Sequence, residues 1–159
     1  DNPFTLINKD WMLITAGNRE KHNTMTASWG GVGELWGRYV STIYIRPQRY
    51  TLEFVEREDY YSLCFFGPEY RQALNLCGSK SGREIDKDAA TGLTPCFDEA
   101  APYYEQARLG FLCRSSKSRC SSGARTFRRE QAMTASSTLL RAMRPLPLVR
   151  ESPLRCCSS

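Results

Sequence analysis

Apolar positions along the chain fall into short runs divided by turn residues, and several runs keep the period of two that marks a half-buried strand. Residues 11–16 are apolar and β-prone and end at Gly17-Asn18, a turn dipeptide. Residues 22–29 set small polar side chains around Met25 and Ala27, and Gly30, Gly31, Gly33 and Gly37 then read as a loop. Residues 39–45 and 60–66 are strongly β-prone, and residues 107–113 put Leu109, Phe111 and Cys113 on one face. Helical spacing is confined to three short stretches. Leu52 and Val55 fall within residues 51–58, and Ala73, Leu74 and Cys77 follow Pro68 before Gly78. Residues 84–90 are a third short helix, ended by Gly92. Strands outnumber helices and no βαβ alternation or internal repeat is present, so the pattern predicts a mainly β fold, an antiparallel barrel or sandwich with short helices.

At 159 residues, with 41% hydrophobic and 25% charged positions, the chain has the composition of one globular domain. No apolar run approaches the roughly 20 residues of a membrane span, and no secretory leader opens the sequence. It begins at Asp1 rather than Met, so an upstream piece is expected to be missing. Seven cysteines without a C-x-x-C pair read as free thiols of a cytoplasmic protein. One histidine, His22, leaves too few ligands for zinc and reads as a solvated loop residue.

The net charge of +5 is unevenly spread. Residues 1–113 hold 12 Lys and Arg against 15 Asp and Glu, net −3, whereas residues 114–159 hold 10 against 2, net +8. The basic balance therefore says nothing about partners of the first 113 residues.

Three segments combine small, polar and basic residues in a way that suits a flat, anionic cofactor. Asn23, Thr24, Met25, Thr26, Ala27, Ser28 and Trp29 would let a planar ring approach the backbone, with Trp29 covering an apolar face. Arg46, Arg49 and Thr51 directly precede a predicted helix, where unpaired N–H groups favour an anion. Ser79, Lys80, Ser81 and Gly82 precede another, with Lys87 one turn inside it. Each alone also fits a plainer description: an edge strand, a capped helix with solvated arginines, a surface loop. Together they favour phosphate binding. Residues 31–37 approach a dinucleotide fingerprint but lack the third glycine and precede a strand, not a helix. Tyr60, Tyr61, Phe65 and Phe66 interleave with too few basic residues for a nucleic-acid platform.

In order and spacing, residues 23–29 (NTMTASW), 46–51 (RPQRYT) and 78–83 with Lys87 (GSKSGR…DK) resemble the flavin reductase-like, FMN-binding split-barrel family. The flavoredoxin-type branch is nearest, and the similarity runs from about residue 2 to residue 113. The resemblance implies an antiparallel split β-barrel, homodimeric, with FMN near the dimer interface. Residues Asn23 to Trp29 would then contact the ring and ribityl chain. Arg46, Arg49, Thr51, Ser79, Lys80, Ser81 and Lys87 would surround the phosphate. It also implies electron transfer from NAD(P)H or a redox protein through the flavin, with no catalytic acid or base; on the residues themselves no metal, nucleic acid or membrane is expected as a partner. The alternatives are a non-catalytic flavin-binding or interaction protein, or an inactive truncated product.

Residues 114–159 depart from that family. They carry one aromatic, Phe127, are rich in Arg and Ser, and include neither a second histidine nor a β-patterned run. With codons AGC TCG AAG AGC AGG TGC TCG AGC for Ser115 to Ser122, one inserted A yields Lys-Leu-Glu-Glu-Gln-Val-Leu-Glu, which resembles the family's continuation. The expectation is a split-barrel domain over residues 1–113, incomplete at its C-terminal end. An out-of-frame or disordered tail would follow.

Overall fold

A computed structural model of the chain describes residues 2–115, 136–139 and 143–145, the last two stretches as backbone strands. A helical turn α1 (Pro3–Thr5) runs into a π-helical turn at Leu6–Asp10, neither anticipated from periodicity. Strands β1 (Met12–Gly17) and β2 (His22–Ala27) form a hairpin with Met12 opposite Ala27. Asn18 closes it: its N–H donates to Lys21 O at 3.0 Å, and its Oδ1 accepts from the N–H groups of Glu20 and Lys21.

A second hairpin joins β3 (Gly30–Leu35) to β4 (Arg38–Ile45), with Leu35 opposite Arg38. Its two-residue turn, Trp36-Gly37, has φ of 52° and 70°, the primed geometry that matches strand twist. The glycine-rich stretch expected to be a loop is therefore a strand. Its pairing comes from the β-branched and aromatic residues of β4, not from side chains of its own.

After β4 come α2 (Thr51–Arg57), β5 (Tyr60–Phe65), α3 (Arg71–Ser79) and α4 (Lys87–Thr91). The chain continues through β6 (Pro95–Cys96), β7 (Tyr103–Tyr104) and β8 (Leu109–Arg114). α4 starts three residues later than its spacing suggests because Asp86 caps it, accepting from the N–H groups of Asp88 and Ala89. Strands β9 (Ser136–Leu139) and β10 (Met143–Pro145) follow. The larger sheet has the order β10-β8-β5-β1-β2 and a smaller one the order β3-β4-β9, with every pairing antiparallel.

Both faces of the larger sheet are covered. Met12, Ile14, Ala16, Met25, Ala27, Leu63 and Phe65 point inward to Ile43, Ile45 and Phe54. Leu13, Cys64 and Leu112 point outward to Leu74, Cys77 and Tyr104. This two-sided burial is why residues 11–16 read as a continuous apolar run rather than an alternating one. Leu109, Phe111 and Cys113 do share the inner side, as their period of two predicts.

Two backbone strands thus follow Cys113, where no β-patterned segment was expected. An open strand edge pairs through N–H and C=O groups and makes little demand on side chains, so Arg/Ser-rich sequence can extend β4 and β8. The remaining tail, including most of the stretch expected to be out of frame, lies outside the described residues.

Gly17 has φ of +123°, and a Cβ there would meet Lys21 O at 2.4 Å and His22 Cα at 2.5 Å. Gly17→Ala should cost about 1–3 kcal/mol, seen as a lower urea midpoint at unchanged slope. An unchanged midpoint would show that the hairpin relaxes freely.

Candidate functional site

β2 is an edge strand, paired to β1 on one side only among the described residues. Its inward side chains, Asn23, Met25 and Ala27, are buried. Its outward hydroxyls are tied down: Thr24 Oγ1 lies 2.9 Å from Thr15 Oγ1, and Thr26 donates to Leu74 O on α3. Both faces are thereby fixed, and the free edge is what the strand presents.

Where β2 ends and the chain crosses to the second sheet, a cleft of about 180 Å³ opens, lined by Met25, Thr26, Ala27, Ser28, Trp29, Tyr44, Arg46 and Arg49. Its charged residues are both arginines. Trp29 is 53% exposed, and the Arg46 guanidinium lies over its ring at 5.5 Å. Arg49 Nη1 donates to Gly78 O at the C-terminal turn of α3, at 2.7 Å.

At the other end of β2 a second cavity, about 280 Å³, is lined by residues that include His22, Asn23, Thr24, Tyr50, Gly82 and Lys87. Asn23 Nδ2 donates to Thr51 Oγ1 at 2.8 Å, so the first and second motifs meet directly. The third meets them through Gly82: a Cβ there would fall 1.9 Å from Asn23 Oδ1, so only glycine lets the loop come this close. Lys87 is 7% exposed, with Nζ donating to Thr24 O at 2.6 Å and Cys77 O at 2.9 Å. Burial, partly offset by the Cys77 thiol, lowers its pKa, and the Arg49 charge adds to the lowering. Two of its three N–H bonds are committed to carbonyls, leaving one for an anion.

Not every expected residue converges. Ser79 and Lys80 are exposed at the end of α3, and Ser81 accepts from Arg83 N–H; none of the three lines either cavity. Ala27, expected to leave room for a ring, is packed into the core as well as lining the cleft.

His22 is not a solvated loop residue. It opens β2 with its ring edge-on to Phe97 and its Nε2 2.6 Å from Asp88 Oδ2. Asp88 Oδ1 accepts from Tyr104 O–H at 2.7 Å. Burial alone would raise the Asp88 carboxyl, but the hydrogen bonds from His22 and Tyr104 hold it below its ordinary value. The partners are 66 and 16 residues away, so no local spacing could have revealed the network.

The cleft is basic, is walled by an edge strand and opens between two antiparallel sheets. The comparisons give the class. A profile of the flavin reductase like domain matches residues 6–127, so the chain belongs to that family; the match extends past residue 113, beyond the three motifs that carry the resemblance. None of the curated proteins compared with the chain matches it. Among solved structures, flavoredoxin of Desulfovibrio vulgaris (Miyazaki F) superposes with a TM-score of 0.67 at 21% identity, over 92% of this chain and 72% of that one. An FMN-binding protein from Thermus thermophilus with bound 1-cyclohex-2-enone gives 0.67 at 19%, over 86% and 68%. An FMN-binding domain of a flavin reductases-like enzyme from Shewanella baltica OS155 gives 0.66 at 14%, over 88% and 70%. At these identities the superpositions establish the fold, an antiparallel split barrel.

Because the folded Asp88 carboxyl sits below its unfolded value of about 3.9, its contribution to stability is present above that pH and lost as pH falls through the folded value. The difference in melting temperature between the wild type and Asp88→Asn should therefore shrink on acidification from neutral pH to below about 4. A difference independent of pH would remove the carboxylate from the network's energetics.

Proposed function

We propose that the chain binds FMN along β2 and serves electron transfer between NAD(P)H or a redox protein and an acceptor, as a cytoplasmic homodimer. The observation that carries this reading is the cationic cleft at Ala27–Trp29, together with the Asn23–Gly82–Lys87 cradle at the opposite end of the same strand. At roughly 3.3 Å per residue, Asn23 to Trp29 spans about 20 Å, room for a phosphate at one end and a fused ring at the other. The donor set fits: the Arg49 guanidinium, the remaining N–H of Lys87, and small residues that keep the strand edge clear.

FMN supplies the two-electron chemistry when bound. The chain's residues hold and orient it. Gly82 and Asn23 shape the phosphate end, where Lys87 supplies charge, and Arg49 adds its own from the cleft between the two ends. Ser28 and Trp29 wall the ring end. Family membership and the resemblance to flavoredoxin support the electron-transfer role.

Support for dimerisation comes from exposed Phe4, Trp29, Trp36, Tyr39 and Tyr44, more apolar surface than a free monomer of this size tends to show. Phe4 and Trp29 also line a cavity of about 450 Å³ that adjoins the cleft at Ser28. The four described cysteines are free thiols, as a reducing cytoplasm would keep them.

Arg49→Ala should weaken FMN at least tenfold and leave riboflavin, which lacks the phosphate, nearly unchanged, because a charge-assisted hydrogen bond contributes about 1.5–3 kcal/mol. Fluorescence titration with both ligands reads the ratio; equal losses would place Arg49 away from the phosphate. Arg49 is a cleaner probe than Lys87, whose removal would also release two carbonyls that pin β2.

Ser28→Trp tests the ring end. It should abolish binding of both flavins at an unchanged melting temperature, since Ser28 lines the cleft and is only half-buried. Retained flavin binding would make residues 23–29 an ordinary edge strand.

A further inference from the structure

The two arginines of the segment between β4 and α2 were expected to share one task, the phosphate. Their partners differ, although both line the cleft. Arg49 reaches Gly78 O and lies close enough to Lys87 to help lower its pKa. Arg46 instead holds its guanidinium over the Trp29 ring at 5.5 Å. A cation facing an aromatic ring at the end of the cleft meant for the flat part of the ligand has no phosphate to serve.

Resting on the reading that this cleft holds FMN, we propose that Arg46 sets the reducing power of the bound flavin. The oxidised ring is neutral. Taking up two electrons and one proton leaves it with one negative charge, and a cation beside it stabilises that charge more than the neutral form. The residues lining the cleft include no carboxylate to cancel it. Stacking on Trp29 fixes a side chain that would otherwise be free, so the charge is in place before reduction. Arg46 is exposed, so the effect is moderate and weakens with salt.

The test loads the full chain with FMN and titrates it with dithionite against a reference dye, which reads the midpoint potential independently of turnover. Arg46→Gln should lower the reduced-to-oxidised ratio at a given potential about tenfold, or about 30 mV for a two-electron couple. Arg46→Lys should recover part of that shift. Arg57→Gln, which removes the same charge from the exposed end of α2, should leave the potential unchanged. The Arg46→Gln shift should shrink between low and high ionic strength.

An Arg46→Gln potential equal to the wild type's overturns the proposal. So does a variant that weakens FMN but not riboflavin, since Arg46 would then be a phosphate ligand. A wild-type chain that takes up no flavin overturns the FMN reading itself and this assignment with it, which distinguishes the two failures.

Discussion

Lys87 carries a charge into the interior, and the arrangement around it depends on how that charge is met. Leaving an ammonium buried without partners costs several kcal/mol. Here it donates to Thr24 O on β2 and to Cys77 O on α3, while its own backbone begins α4. One side chain therefore fixes three elements relative to each other. Asp88, the next residue, grips β2 again through His22 and reaches β7 through Tyr104. On the inner face Asn23 is held by Thr51. β2 cannot shift along its length without breaking these contacts, and a strand held this way can keep one edge open.

An open edge is useful only if something prevents its filling. The larger sheet is packed on both faces, so its cores do not compete for the edge of β2. Arg46 and Arg49, close together in sequence, both line the cleft but are held by different partners, the Trp29 ring for one and Gly78 O for the other. Glycine at residue 82 completes the narrow end by letting its loop close on Asn23.

Much of this was legible in the sequence because it is local. β1, β2, β4, β5 and β8 announce themselves through β-prone runs, and α2 and α3 through spacing. β3 did not, because Gly30, Gly31 and Gly33 carry no side-chain pattern and the strand exists by pairing with β4. The three motifs were visible as motifs, but not the division of labour inside them. Lys87 was expected beside the phosphate, but nothing local marked its burial or its two carbonyl partners, and nothing marked that the Ala27 methyl would lie in the core. His22 was misread because its partner lies 66 residues away. Contacts over such distances leave no mark on local composition.

The central claim is that the open edge of β2 is where the flavin lies. Amide chemical shifts of the isotope-labelled chain, recorded as FMN is added, test it most directly. The account predicts saturable shifts concentrated at residues 23–29, with a second group at Arg49 and Gly82. Shifts confined to the opposite side of the larger sheet, around Phe66 and Arg108, or none at all, would contradict it.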